Sequence, residues 1–230
     1  MARLSGYKLS VTHMNNVWFI IPARKESKGI PFKNRMLLQH TLDIIPKDYI
    51  KNTIVTSDDE TIIKRSIDFG CKVRKRDKSL AGDTASSRDS LLDVVDYMNI
   101  ADDDIIVLLY LTYPTRKFSD VEMILSFFIE REANSLLCRT RLTDHPFLCF
   151  YEDDNFKGSP IVEHDLCSRQ QYPSCFSLSH YVGIFRASSL INLGRNLYNK
   201  STLFFPIDTP IDIDEKDEAE KWMLEAGRGE

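Results

Sequence analysis

Cysteine is scarce in this chain and badly placed for metal or disulfide work. The five residues (Cys71, Cys138, Cys149, Cys167, Cys175) are odd in number and scattered, with no Cys-x-x-Cys pair and no histidine pair at ligand spacing. That excludes a zinc ribbon and a disulfide framework, and dispersed thiols fit a reducing cytoplasm. No apolar run approaches the length of a bilayer span. Residues 1–16 lack the apolar segment of a signal peptide and are expected to form a polar extension. With a formal net charge of −4, the chain has neither the basic field that nucleic acid demands nor one that seeks an anionic membrane. Walker A spacing, a G-x-G-x-x-G loop and any Ser-His-Asp or Cys-His arrangement are also missing. Covalent catalysis therefore has no candidate.

What is present is an alternation of buried strands and amphipathic helices. Val17 to Ile21, Thr53 to Thr56 and Ile105 to Leu111 are apolar runs rich in branched residues, as in strands covered on both faces. Glu60 to Phe69 has helical spacing and ends at Gly70. Further helices are expected from about Ser86 to Met98, from Asp120 to Glu132 with Ser119 as N-cap and Glu122 as capping-box partner, near Ser188 to Tyr198, and from about Glu215 to Glu225. Cys71 to Arg74, Ser135 to Arg139 and His180 to Phe185 read as additional strands. The fold class is therefore α/β, with a mostly parallel sheet and helices on both faces. Residues 17–230 are expected to form one domain. Within it, 143–179 is polar, aromatic and irregular, and reads as a β-rich insertion or arm.

In open α/β sheets, ligands bind outside the carboxyl ends of the strands. Four polar segments fall there: Pro22 to Asn34, Ser57 to Asp59, Thr112 to Arg116, and Asp208 to Asp214. The first places Arg24, Lys28 and Lys33, with Ser27 and Gly29, in a loop directly after a buried strand, which suits a triphosphate. In the last, Asp212 and Asp214 stand two residues apart. In an extended segment both carboxylates would share one face about 7 Å apart, an oxygen pair suited to Mg²⁺. Arg76 and the turn from Leu80 to Ser87 place a cation ahead of a helix start, where free N–H groups meet a polar ligand. Asp102-Asp103-Asp104 precedes a strand and so lies at the wrong end of the sheet.

These elements, in this order, resemble the acylneuraminate cytidylyltransferase family, the CMP-sialic acid synthetases and the bacterial CMP-nonulosonic acid synthetases. Ile21 to Asn34 is similar to that family's phosphate-binding signature at almost every position. Ser57-Asp58-Asp59, Leu80 to Ser87, Leu109 to Arg116, Arg169-Gln170-Gln171 and Ile211 to Asp214 support it. The resemblance implies a Rossmann-like nucleotidyltransferase with a dimerisation arm, acting in the cytoplasm as a homodimer. Its substrates would be CTP and a 2-keto-3-deoxy sugar acid, its cofactor Mg²⁺, with no nucleic acid or membrane partner. Arg24, Ser27, Lys28 and Lys33 would hold the triphosphate, and Asn34 would touch the ribose. Arg76, Ala85 and Ser87 would read cytosine, Asp212 and Asp214 would bind the metal, and Arg169 would reach the sugar acid. Arg24, Lys28 and Asp214 would carry the catalysis.

The departures cluster on the acceptor side. Ser177-Leu178-Ser179-His180-Tyr181 stands where the family has a second arginine and an Asn-Gly pair. Tyr110 replaces a glutamine and Phe185 a tyrosine, both expected to line the acceptor site. Losing an arginine removes a bidentate carboxylate contact. Two readings stay open: an active enzyme with an altered acceptor, or a nucleotide-binding partner subunit that has lost the transfer activity.

Overall fold

The computed structural model describes residues 16–26, 29–80, 82, 86–219 and 222. Strand β1 (Val17–Pro22) is followed by helix α1 (Lys33–Asp43), a short helix α2 (Lys47–Ile50) and strand β2 (Thr53–Ser57). Helix α3 (Glu60–Phe69), strand β3 (Lys72–Lys75), helix α4 (Ser87–Met98), strand β4 (Ile105–Leu108) and helix α5 (Phe118–Glu130) come next. Then follow β5 (Ser135–Arg141), the small strands β6 (Phe150–Glu152) and β7 (Gly158–Pro160), β8 (Phe176–Arg186) and β9 (Leu203–Pro206).

Seven strands form one sheet in the order β3-β2-β1-β4-β8-β5-β9. All neighbours are parallel except β8, which runs antiparallel between β4 and β5. Period two along the strands divides the apolar residues between two cores. Val17, Phe19 and Ile21 face one core with Leu37, Leu38, Ile62, Ile124 and Phe128. Ile20, Ile54, Ile106 and Leu108 face the other with Leu91, Val94 and Leu190. Helices thus cover both faces, as the pattern of apolar runs predicts.

Local chemistry sets the helix ends. Asp59 Oδ1 accepts from the N–H of Thr61 at 2.9 Å, which starts α3, and Gly70 ends it at φ 101°, where a side chain would be strained. Ser86 Oγ caps α4 by accepting from Asp89 N at 3.1 Å. Helix α5 begins at Phe118, so Ser119 lies inside it, and Lys117 holds the cap position without a side-chain bond.

Other differences are short-range. The strand read to Leu111 ends its ladder at Leu108, although Leu109 N still donates to Ile20 O at 3.0 Å. The helix read near 188–198 is a 3₁₀ segment, Ala187–Asn192, followed by turns. Helix α1 and β9 are additional elements. Of the last helix, 216–219 and 222 are helical; the rest of it, like residues 1–15, lies outside the described residues.

Beyond the sheet, β5 and β8 continue as a two-stranded ribbon, with Arg141 opposite Phe176. The chain between them carries the β6–β7 hairpin, turned at Asp153, whose Oδ1 accepts from Asn155 N and Lys157 N at 2.9 Å each. His145, Phe147, His164 and Tyr172 pack ring against ring beside it, with centroids 4.3–5.4 Å apart.

Candidate active site

The loop after β1 is shaped by the residues that follow β2. Ser57 Oγ donates to Ala23 O at 2.5 Å, Lys25 N to Asp58 Oδ1 at 2.7 Å, and Arg35 Nε to Asp59 Oδ2 at 2.7 Å. The Ser57-Asp58-Asp59 motif is therefore a brace for the loop, made of one buried hydroxyl and two carboxylates. Burial by itself would raise the Asp59 carboxyl. The Arg35 hydrogen bond and the Thr61 and Ile62 N–H groups outweigh it, so the net shift is downward. Asn34, expected at the ribose, donates from Nδ2 to Arg24 O at 2.8 Å, holding the backbone of the loop's first cation. Ser27 and Lys28 lie outside the described residues.

The same loop closes on the acidic segment. Lys33 is buried at 7% exposure, and its ammonium donates to Ile213 O and to Asp214 Oδ1, each at 2.8 Å. Lys33, expected on the triphosphate, is thus engaged as an anchor. Gly29 packs so closely that a Cβ there would stand 2.5 Å from Asp214 O, which explains the glycine. Ile213 N donates to Thr112 O at 2.8 Å, and Glu218 Oε2 accepts from the N–H groups of Asp214 and Glu215 at 2.7 and 2.8 Å. The segment 211–214 belongs to no strand, contrary to the extended-strand expectation; these bonds fix it instead.

Ile213 is buried between its two acidic neighbours, so the alternation survives without a ladder. Asp212 Oδ1 is buried and has no hydrogen-bond partner, while the Asp214 side chain is 68% exposed. A shielded, unsatisfied carboxylate oxygen beside an open carboxylate is a donor set that fits a hard divalent cation. Among the described residues no three His, Cys, Asp or Glu side chains form a metal-holding group. Mg²⁺ does not require one, since it retains waters and takes phosphate oxygens.

A third wall comes from the turn after β4. Arg116 is 2% exposed, and donates from Nε to Tyr181 O at 2.9 Å and from Nη2 to Tyr110 O at 2.7 Å. Its guanidinium stands 5.4 Å from the ring centroids of both Tyr113 and Tyr181. Burial pulls its pKa down to about 10, with Tyr181, Tyr113 and Asp212 opposing the shift. Nη1 has no partner. Burial and the Asp212 carboxylate hold the Tyr113 phenol up. His180, whose Nδ1 is also buried without a partner, is pushed down by burial against the pull of Asp212 and Asp214. Sequence reasoning gave Arg116 and His180 no role. Their signal was position alone: a cation closing the Thr-Tyr-Pro-Thr turn, and a histidine at the start of the strand read from His180 to Phe185.

On the remaining side lies Arg76. Thr56 holds it through its carbonyl and hydroxyl, at 3.2 and 3.4 Å, and burial lowers its pKa. Ser87, the first residue of α4, accepts from the Tyr110 hydroxyl at 2.6 Å. Tyr110, expected at the acceptor, therefore touches a residue expected at the base, and its ring also meets His180 at 5.4 Å. Ala85 lies outside the described residues.

Two expected acceptor residues do not join this group. Arg169 is exposed on the 3₁₀ turn Arg169–Gln171, in the excursion between β5 and β8. Phe185 is a correction. It is 0% exposed, opposite Ile106 in the sheet and packed in the second core, so it has no surface to offer a ligand.

Comparison with known proteins bears on this arrangement. Residues 18–127 match the cytidylyltransferase family. An N-acylneuraminate cytidylyltransferase of Streptococcus agalactiae serotype V is 29% identical over 162 residues, 66% of this chain but only 38% of that protein's length. The sequence from serotype III is equally similar over the same extent. In structure, a CMP-2-keto-3-deoxy-manno-octonic acid synthetase complexed with CTP superposes with a TM-score of 0.67 at 16% identity, covering 93% of this chain and 99% of that one. A 4-diphosphocytidyl-2C-methyl-D-erythritol synthase gives 0.60 at 14% identity, covering 91% and 97%. The resemblance read from the motifs agrees with these matches: residues 18–127 match the cytidylyltransferase family, and the chain shares its fold with these two enzymes.

Proposed function

We propose that this protein is a cytidylyltransferase that couples CTP to a 2-keto-3-deoxy sugar acid of the nonulosonic type, giving the CMP-sugar and pyrophosphate. The observation that carries the proposal is the closure of a cation-rich loop onto paired carboxylates at the carboxyl edge of the sheet, through Lys33 and Gly29 against Asp214. A loop of that charge suits a triphosphate, and the unpartnered Oδ1 of Asp212 next to it suits the metal that accompanies one.

In this reading Arg24, Ser27 and Lys28 hold the triphosphate, while Arg76, Ala85 and Ser87 face cytosine. Lys33 and Asn34 act on the loop itself. Asp212 and Asp214 would hold Mg²⁺, which when bound would neutralise phosphate charge. The anomeric hydroxyl of the acid attacks the α-phosphorus in line, the bond to the β-phosphate oxygen breaks, and pyrophosphate departs. Arg24 and Lys28 stabilise the charge that collects on the transferred phosphorus and the leaving group. Arg169 reaches the acid from the arm of a second copy. The exposed apolar side chains of that arm, Phe150, Tyr151, Phe156 and Ile161, support homodimer formation.

The test is pyrophosphate release from CTP with a panel of eight- and nine-carbon 2-keto-3-deoxy acids. Release with one or more acids, dependent on Mg²⁺, is the expected result. Nucleotide binding without release from any acid supports the partner-subunit reading instead.

A further inference from the structure

Tyr110 is fixed at three points. Its carbonyl accepts from Arg116 Nη2 at 2.7 Å, its ring packs at the border of both cores and against His180, and its hydroxyl donates to Ser87 Oγ at 2.6 Å. Burial holds the phenol's pKa above its ordinary value, so it remains a donor at neutral pH. A serine hydroxyl has one proton and two lone pairs. Having accepted from Tyr110, Ser87 turns its own proton away from the phenol.

The helix makes no claim on that proton. Ser86 caps α4, and Ser87 Oγ donates to nothing among the described residues. Arg76, a second donor, lies close enough for its charge to be felt at the Tyr110 hydroxyl. Ser87 therefore offers an outward donor. Cytosine presents acceptors at O2 and N3; uracil presents a donor at N3.

We propose that Tyr110 is a positioning residue for base selection: by donating to Ser87 Oγ it commits the Ser87 hydroxyl to donate outward, which favours cytosine over uracil. This rests on the reading that Arg76 and Ser87 face the base. Without the phenol, the Ser87 hydroxyl is free to rotate and accept, and the discrimination relaxes.

The experiment is calorimetric titration of the full chain with CTP and with UTP in Mg²⁺, for the wild type, Tyr110→Phe, Ser87→Ala and the double variant. The wild type is expected to prefer CTP. Tyr110→Phe should reduce the ratio of the two Kd values about tenfold, and should leave it unchanged in the Ser87→Ala background. A ratio retained in full by Tyr110→Phe, or a further loss in the double variant, overturns the inference and leaves the cytidylyltransferase reading standing. Absence of any CTP preference in the wild type overturns both. Should Tyr110→Phe fail to fold, Ser87→Ala alone decides: an unchanged ratio there overturns the inference.

Discussion

Lys33 Nζ stands 2.8 Å from Asp214 Oδ1 across 181 residues of sequence, and the same ammonium donates to Ile213 O. One buried cation thereby ties the start of α1, directly after the β1 loop, to the acidic segment after β9. Because Asp214 is 68% exposed, the ion pair itself is worth little. The geometry it imposes matters more.

Lys33→Met keeps the aliphatic stem and removes the lock. We expect a loss of about 1–2 kcal/mol, or a fall in Tm of roughly 4 °C, together with a drop in turnover of about tenfold or more as Asp214 reorients. Thermal unfolding and pyrophosphate release measure the two effects. Unchanged turnover would separate the lock from catalysis.

Gly29→Ala tests the same junction sterically. Its Cβ would meet a backbone oxygen, which cannot rotate away. The expected cost is about 1–3 kcal/mol, and CTP binding should weaken because the loop must shift. A variant with wild-type Kd and Tm would mean that loop and acidic segment do not close in solution.

Arg116→Met removes a buried guanidinium and leaves the carbonyls of Tyr110 and Tyr181 and the Asp212 carboxylate without their donor or counter-charge. Urea unfolding should show a loss of about 3 kcal/mol. A change below about 0.5 kcal/mol would place the guanidinium in solvent.

Asp59 gives a pH signature. Its folded carboxyl is held below the ordinary range: burial raises it, but Arg35 and the helix N–H groups more than offset that. The stability it contributes is present above the unfolded value near about 4 and is lost as pH falls through the lower folded value. Wild type should therefore lose stability as pH falls below about 4, whereas Asp59→Asn should be weaker at neutral pH but flatter in acid. Parallel pH profiles would contradict the Arg35–Asp59 account.

How far the sequence discloses this depends on the range of the interactions. β1, β2 and β4 are continuous branched runs, and α3 carries both an acidic N-cap and a C-terminal glycine, so local chemistry announces them. Gly29 reads as part of a loop suited to a triphosphate, and nothing local discloses that its close neighbour is the Asp214 carbonyl, far along the chain. Lys33 misleads because a cation in a phosphate loop looks like a ligand contact until its distant partner is seen. Phe185 misleads for another reason: β8 is buried on both faces, so residue parity does not say which side a ring enters. Helix α1 mixes polar and apolar residues without a capping side chain, and the link between Tyr110 and Ser87 joins a strand end to a helix start that no spacing rule connects.

The central claim is that this site binds CTP with Mg²⁺. The most direct measurement is the thermal midpoint of the purified protein with each of the four NTPs, with and without Mg²⁺, since a ligand that binds only the native state raises the midpoint by mass action. The account predicts the largest rise with CTP, increased by Mg²⁺ and reduced in Asp214→Ala, whose midpoint without nucleotide should stay close to the wild type's. A protein whose midpoint no nucleotide moves would contradict it.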